Sequence, residues 1–236
     1  MTSLASSGCA VQVLDCGDSA VRVTVNDQDR HVSWRIVHGL AALLRQTQAP
    51  GVQAILPTYD SLLVEFDCAA TDHTAIRAEV VGLTDQLDSL PVRTPRTFRV
   101  PVCYGGEYGP DLTTVAGLFG LTPSEVIALH TAEPLLIRCF GSPAGAPMMD
   151  GPRFPAPVPR LASPRALVSA GAVAVAGRQA VVSACPAPGG WQVLGRTPLS
   201  LVDPQREPIA AYLPGDSLRF HSIAAADFEA EQGMLA

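Results

Sequence analysis

The chain is poor in charge. Asp, Glu, Lys and Arg make up only 16% of its 236 residues, and the balance is acidic, with a net charge of −6 and a pI near 5.3. Too few cations are present to build a basic face, which argues against a nucleic-acid partner. The six cysteines, Cys9, Cys16, Cys68, Cys103, Cys139 and Cys185, form no C-x-x-C pair, and no histidine stands at zinc-ligand spacing from them. Scattered single thiols of this kind belong to a reducing compartment, so a cytoplasmic protein is expected. The first residues, Met1 to Ala5, lack the basic and apolar segments of a signal peptide. The most apolar stretch, Ala166 to Gly177, is too short and too rich in Gly and Ala to span a bilayer, so no membrane role is expected. Neither G-x-x-x-x-G-K-[ST] nor G-x-S-x-G occurs, which removes the common phosphate loop and the nucleophile elbow. No carboxylate cluster points to a metal, and His31 and His38 read as solvated residues on one helix face.

What is present is apolar and periodic. Hydrophobic residues make up 47% of the chain, enough for a substantial core. Residues 1–10 carry no pattern and read as a frayed end. Val11–Leu14 and Ala20–Val25 alternate as strands. A helix capped by Asn26 or Asp27 then runs to about Gln48, with Val37, Leu40 and Leu44 at helical spacing. Strands follow at Val52–Leu56 and Leu62–Phe66, then a helix from Thr71 or Asp72 to about Leu90. This β-β-α-β-β-α order predicts a small α+β layer. The prolines between Pro91 and Pro95 mark a boundary, giving domains 1–94 and 95–236. The second domain opens with a strand at Thr97–Val102. Asp111 caps a short helix ending at Gly120, and Thr122-Pro123-Ser124-Glu125 is a capping box for the next, which ends near His130. A strand at Leu135–Phe140 precedes Gly141–Pro164, whose Pro and Gly content predicts a long loop without a ladder. Short strands at turn-punctuated intervals then indicate a barrel or sandwich, and Ala224–Met234 reads as a terminal helix.

The most informative stretch is Pro188-Gly189-Gly190-Trp191-Gln192-Val193-Leu194-Gly195-Arg196-Thr197-Pro198. Pro188-Gly189-Gly190 reads as a turn, and Trp191 to Leu194 as a short strand. Gly195 permits a bend or a close approach, with a guanidinium and a hydroxyl beside it. Two readings fit these residues. One is a site for a small anionic or amide-bearing ligand; the other is a core Trp between turns, with Arg196 paired to a carboxylate.

That stretch resembles the signature of the family of the 5-oxoprolinase B-type subunit, the kinase inhibitor KipI and allophanate hydrolase subunit 1, also described as carboxyltransferase subdomains C and D. Further segments resemble the same family in the same order: Gly17-Asp18-Ser19-Ala20, Pro50-Gly51-Val52 with Pro57 to Val64, Pro101-Val102-Cys103-Tyr104-Gly105-Gly106-Glu107-Tyr108-Gly109-Pro110-Asp111-Leu112, Glu125 to His130, and Ser163-Pro164-Arg165. The resemblance implies a ferredoxin-like α+β domain followed by a cyclophilin-like β-barrel. It implies a non-autonomous subunit of an ATP-dependent 5-oxoprolinase, which opens 5-oxo-L-proline to L-glutamate. Its partners would be a larger C-subunit relative, similar to allophanate hydrolase subunit 2, and a LamB/YcsF-type A subunit. ATP would be used by the assembled complex, with no cofactor on this chain. An allophanate hydrolase component and a KipI-like inhibitor of a sensor histidine kinase are the alternatives. The implied ligand-binding set is His130, Arg165, Gln179, Trp191, Gln192, Arg196 and Thr197.

The sequence departs from the family at two places. The aromatics of its GF-x-PGFPYL-x-G loop are replaced by Ser142, Ala146 and Met148, and the Tyr-Pro of its Q-x-GIYP segment is absent after Gln179, where Ser183 stands. Aromatics supply much of the contact area of small ligand sites, so a weakened or retuned pocket is expected: either the barrel is kept for subunit contacts and the small-molecule role has faded, which is favoured, or the pocket has widened with Met148 and Met149 as adaptable lining.

Overall fold

Alternating valines set the first sheet. Val21, Val23 and Val25 are buried on one face of a strand whose Arg22 and Thr24 face the other way. The computed structural model describes residues 2–6, 9–91 and 93–236. The chain divides into two compact units, Met1–Arg93 and Thr94–Ala236.

The first unit holds β1 (Thr2–Ser6), β2 (Cys9–Asp15), β3 (Ala20–Asn26), α1 (Arg30–Thr47), β4 (Val52–Pro57), β5 (Ser61–Phe66) and α2 (His73–Leu83), then a 3₁₀ turn over Thr84–Ser89. The sheet order is β1-β2-β3-β5-β4, antiparallel throughout. Because β5 inserts between β3 and β4, which α1 connects, β3-α1-β4 is a split β-α-β unit. Residues 1, 7 and 8 of the expected frayed end lie outside the described residues, but residues 2–6 form an edge strand paired with β2. Helix α1 starts later than expected. Asp27 is spent on a local turn, its Oδ1 accepting from the Asp29 N–H at 2.8 Å, and Asp29 becomes the cap by accepting from His31 N–H. The second helix also changes character early. The Thr84 hydroxyl donates to the Val81 carbonyl and the Ser89 hydroxyl to that of Gln86, which competes with regular helical bonding. Leu87 and Leu90 still pack on α1 because Gly39 leaves room; a Cβ there would come within 2.7 Å of Leu87.

The second unit holds β6 (Thr97–Tyr104), α3 (Leu112–Phe119), α4 (Pro123–Thr131), β7 (Leu135–Gly141), β8 (Ala146–Asp150), β9 (Arg165–Val168), β10 (Ala172–Ala176), β11 (Gln179–Val182), β12 (Ala187–Gly189), β13 (Gln192–Arg196), β14 (Leu199–Ser200), β15 (Ser217–Ser222) and β16 (Gly233–Met234). Seven of these close a barrel in the order β10-β11-β8-β7-β15-β6-β13. The β15–β6 pair is parallel and its other pairs are antiparallel. Phe98, Val102, Met149, Val175, Leu194 and Phe220 belong to its core, with Val115 and Val126 contributed by α3 and α4. The capping box of α4 is present as read: Thr122 Oγ1 accepts from the Glu125 N–H, and the Glu125 carboxylate accepts from the Thr122 N–H.

Three local expectations are corrected. The Gly141–Pro164 stretch does contain a ladder, because Ala146 and Met149 are apolar enough to enter the barrel as β8, between β7 and β11. Pro188-Gly189-Gly190 is not a free turn: Ala187–Gly189 pairs with β9, and the Gly190 carbonyl accepts from the Leu161 N–H. The terminal helix is a single 3₁₀ turn at Ala225–Asp227, followed by β16 beside β14, since buried Phe228 and Leu235 anchor the tail against the unit instead of lining one helical face.

Two glycines set how closely the barrel wall closes. A Cβ on Gly195 would lie 2.6 Å from the Cys103 carbonyl oxygen, and one on Gly109 would lie 1.9 Å from that of Leu194. Gly195→Ala and Gly109→Ala should therefore each lower stability by about 1–3 kcal/mol through overpacking. Gly117→Ala, inside α3 with nothing within 4 Å of the new Cβ, should raise it by about 0.5–1 kcal/mol. Urea midpoints of the three variants check this. Equal effects in all three would show that the close approaches carry no constraint.

Candidate functional site

The PGGWQ-x-LGRTP stretch lies along β13 and meets three other segments. Asp111 is the first. Its N–H donates to the Val193 carbonyl at 3.1 Å, while its Oδ2 accepts from the Val193 N–H at 2.7 Å. The carboxylate thus pairs with β13 as a neighbouring strand would. Arg165 supplies the second contact, donating from Nη1 to Oδ2 at 2.9 Å and from Nη2 to Oδ1 at 2.7 Å. This is a bidentate fork on a buried carboxylate, and the hydrogen bonds raise Arg165 above its already high ordinary pKa. The segment leading to Arg165 lies over the glycines: Gln192 Nε2 donates to the Pro159 carbonyl at 3.2 Å, and Arg160 packs against Gly190.

On the outer face of β13, Arg196 sits opposite Cys103 of β6. Its Nε donates to the Ala170 carbonyl at 3.0 Å, and its guanidinium lies 5.7 Å from the centroid of the Phe228 ring. Phe228 in turn packs at a tilt against Tyr108, with centroids 4.6 Å apart. Among the described residues, the two terminal nitrogens of Arg196 have no hydrogen-bond or ion-pair partner. The fork is therefore held at one edge and one face while its other donors remain available. Partial burial, together with the nearby carboxylates of Glu107 and Glu229, pushes the Tyr108 phenol up. Thr197 is buried beside the fork, its Oγ1 accepting from the Leu199 N–H.

The other expected residues lie elsewhere in the unit. Trp191 packs on Ala172, Ala174 and Val193. Gln179 starts β11 opposite Asp150, separated from β13 by β10. His130 is fully buried, with Nδ1 2.7 Å from the Tyr104 hydroxyl and its ring against Phe220. The structure thus joins Arg165, Trp191, Gln192, Arg196 and Thr197 along one strand and its straps, and leaves Gln179 and His130 apart from the Arg196 fork. Met149, the lining residue of the widened-pocket alternative, is a core residue, and Met148 packs over Gly141. Asp111, Tyr108 and Phe228 were missed. Asp111 carried a signal, a helix-cap carboxylate in a glycine-rich loop, but it makes no side-chain cap bond. Phe228 was hidden by the helical reading of the tail.

Burial holds His130 down to about 4, against an ordinary value of 6.5. The folded ring stays neutral while the unfolded one takes a proton below its ordinary value. Stability from this group is thus full above pH ~6.5 and is lost as pH falls toward ~4, by about 3 kcal/mol in all. His130→Gln should flatten the fall in unfolding free energy between pH 7 and 4.5 by about 2–3 kcal/mol. Identical pH slopes for the two proteins would remove this account.

Comparison with known proteins identifies the family. Residues 11–212 match the family described as "Carboxyltransferase domain, subdomain C and D". The chain is 32% identical to the B-type subunit of 5-oxoprolinase from Bacillus subtilis (strain 168) over 229 residues, covering 93% of this chain and 95% of that protein. The crystal structure of TTHA0988 is similar at 30% identity with a TM-score of 0.75, over 88% of this chain; this chain spans only 40% of that longer one. The K. lactis urea amidolyase, 15% identical with a TM-score of 0.79 over 100% of this chain and 17% of its own, shares the fold. With the ordered motifs, the closed barrel and these matches together, the chain belongs to the carboxyltransferase subdomain C and D family.

Proposed function

We propose that this chain is the B-type subunit of an ATP-dependent 5-oxoprolinase, acting with a larger C-type subunit and a LamB/YcsF-type A subunit in the cytoplasm. The observation that carries this reading is the end-to-end similarity to the Bacillus protein of that name. The reaction adds water across the lactam: the C–N bond breaks, the carbonyl carbon becomes the side-chain carboxylate of L-glutamate, and the nitrogen leaves as its amine. Arg196 is assigned the substrate's carboxylate, since its terminal donors are available and its plane is fixed by Ala170 and Phe228.

The subunit naming of the Bacillus relative supports a non-autonomous role for this chain. His130 is the only histidine in the ligand-binding set, and it is sealed in the core and neutral near pH 7. Among the described residues, the glycine-rich loop ahead of α3 fits ATP poorly. Gly105 and Gly106 adopt positive φ there, but Glu107 follows them and would repel a phosphate, while the helix start is taken by the Asp111–Arg165 pair. The nucleotide is therefore assigned to a partner chain. The free thiols of exposed Cys16 and Cys68 are consistent with a reducing compartment.

Glutamate release from 5-oxoproline and ATP tests the reading. The expected result is no turnover by the chain alone and turnover once both partners are co-purified. Within that complex, Arg196→Lys should lower kcat/KM about 10- to 100-fold through loss of the fork, with the melting temperature nearly unchanged. A large drop in melting temperature with kcat/KM intact would make Arg196 structural. Turnover of allophanate in place of 5-oxoproline would replace the substrate.

A further inference from the structure

The parallel register of β15 and β6 sets Arg219 beside Arg99. Phe98, Val100, Leu218 and Phe220 on the same strands are core residues, so both arginines project from the outer wall of the barrel, and both are exposed. Strands in such a pair run about 4.8 Å apart, and like charges directly opposite one another are destabilising. The chain has 22 acidic residues against 16 basic ones, and every basic one is an arginine. Its other arginines commonly use this surplus: Arg77 pairs with Asp15, Arg138 with Asp150, Arg153 with Glu133, Arg165 with Asp111 and Arg206 with Asp203. Arg99 and Arg219 take no hydrogen-bond or ion-pair partner among the described residues. Next along the same face, His221 has a shielded Nδ1 that also lacks a partner.

We propose that this wall of the barrel, centred on Arg99 and Arg219, is the seat of an acidic strip on a protein partner. The inference rests on the functional reading above, which makes that partner the larger C-type subunit. The wall is an open strand surface, so a small anion there would be held by two solvated side chains and little else. Carboxylates carried on a facing protein surface would meet both forks bidentately and exclude water around them. A polyphosphate backbone is disfavoured, because the net charge of −6 repels a long polyanion outside this two-residue patch. The patch thus supplies local complementarity and steers encounter, a role in which exposed charge acts mainly on the association rate.

The test uses the full chain and the separately purified C-type subunit. Binding kinetics are measured at low and high salt for the wild type, Arg99→Gln/Arg219→Gln and Arg196→Lys. The double substitution should slow association about tenfold at low salt and flatten its salt dependence, with the melting temperature unchanged or raised. Arg196→Lys should leave both quantities as in the wild type. Unchanged association and salt dependence in the double variant, with the wild-type complex forming normally, would overturn the docking surface and leave the functional reading standing. Failure of the wild type to bind the C-type subunit would remove the functional reading and this surface with it. A wild-type homodimer that dissociates in the double variant would overturn the proposal by making the occupant a second copy of this chain.

Discussion

The second unit depends on one buried carboxylate. Asp111 bonds to β13 through its backbone and side chain and to β9 through Arg165, at the point where α3 begins. Three separate stretches of chain converge on two oxygens. A buried charge is tolerable only when its lone pairs are used, and here a backbone N–H and both arms of a guanidinium use them. Removing one member of such a group leaves the other uncompensated, which is why the arrangement holds its parts in place. It fixes β13 at Val193, three residues before Arg196, and so sets where the candidate fork stands.

The glycines of the two strongest motifs belong to the same constraint. Gly109 lies against the Leu194 carbonyl and Gly195 against that of Cys103. The backbone brought close at Gly195 is the neighbouring strand β6, not a ligand. Close approach of the loop before Asp111 to β13 lets a carboxylate on a short side chain reach a backbone N–H. Sequence and packing agree here: glycine where two backbones meet, then an aspartate where a strand edge needs an acceptor.

Elements bounded by local chemistry were legible. The capping box at Thr122, the glycine stop at Gly120 and the valine alternation of β3 all depend on neighbours within a few residues. What was not legible depends on distant partners. The bonds of Asp111 to Arg165 and Val193 span 54 and 82 positions, and nothing near Asp111 distinguishes it from a cap. Strand β8 was obscured because proline and glycine dominate its surroundings, and one of its own buried residues, beside Ala146 and Met149, is Pro147. The tail reads as a helix because its propensity is helical, yet Phe228 and Leu235 are buried by tertiary packing, which outweighs propensity.

The replaced aromatics can be weighed against this geometry. Ala146 is buried in β8, and Ser142 lies in the β7–β8 hairpin, while the fork at Arg196 is built by Ala170, Tyr108 and Phe228. None of these three belongs to the altered loop. Loss of bulk at Ser142 and Ala146 therefore changes the hairpin without touching the groups that orient the guanidinium. A ligand held at Arg196 keeps its anchor, and what the substitutions alter is the packing and turn of this hairpin. The demand on the loop and the demand on the fork are physically separate, so one can drift while the Pro188–Pro198 stretch stays intact.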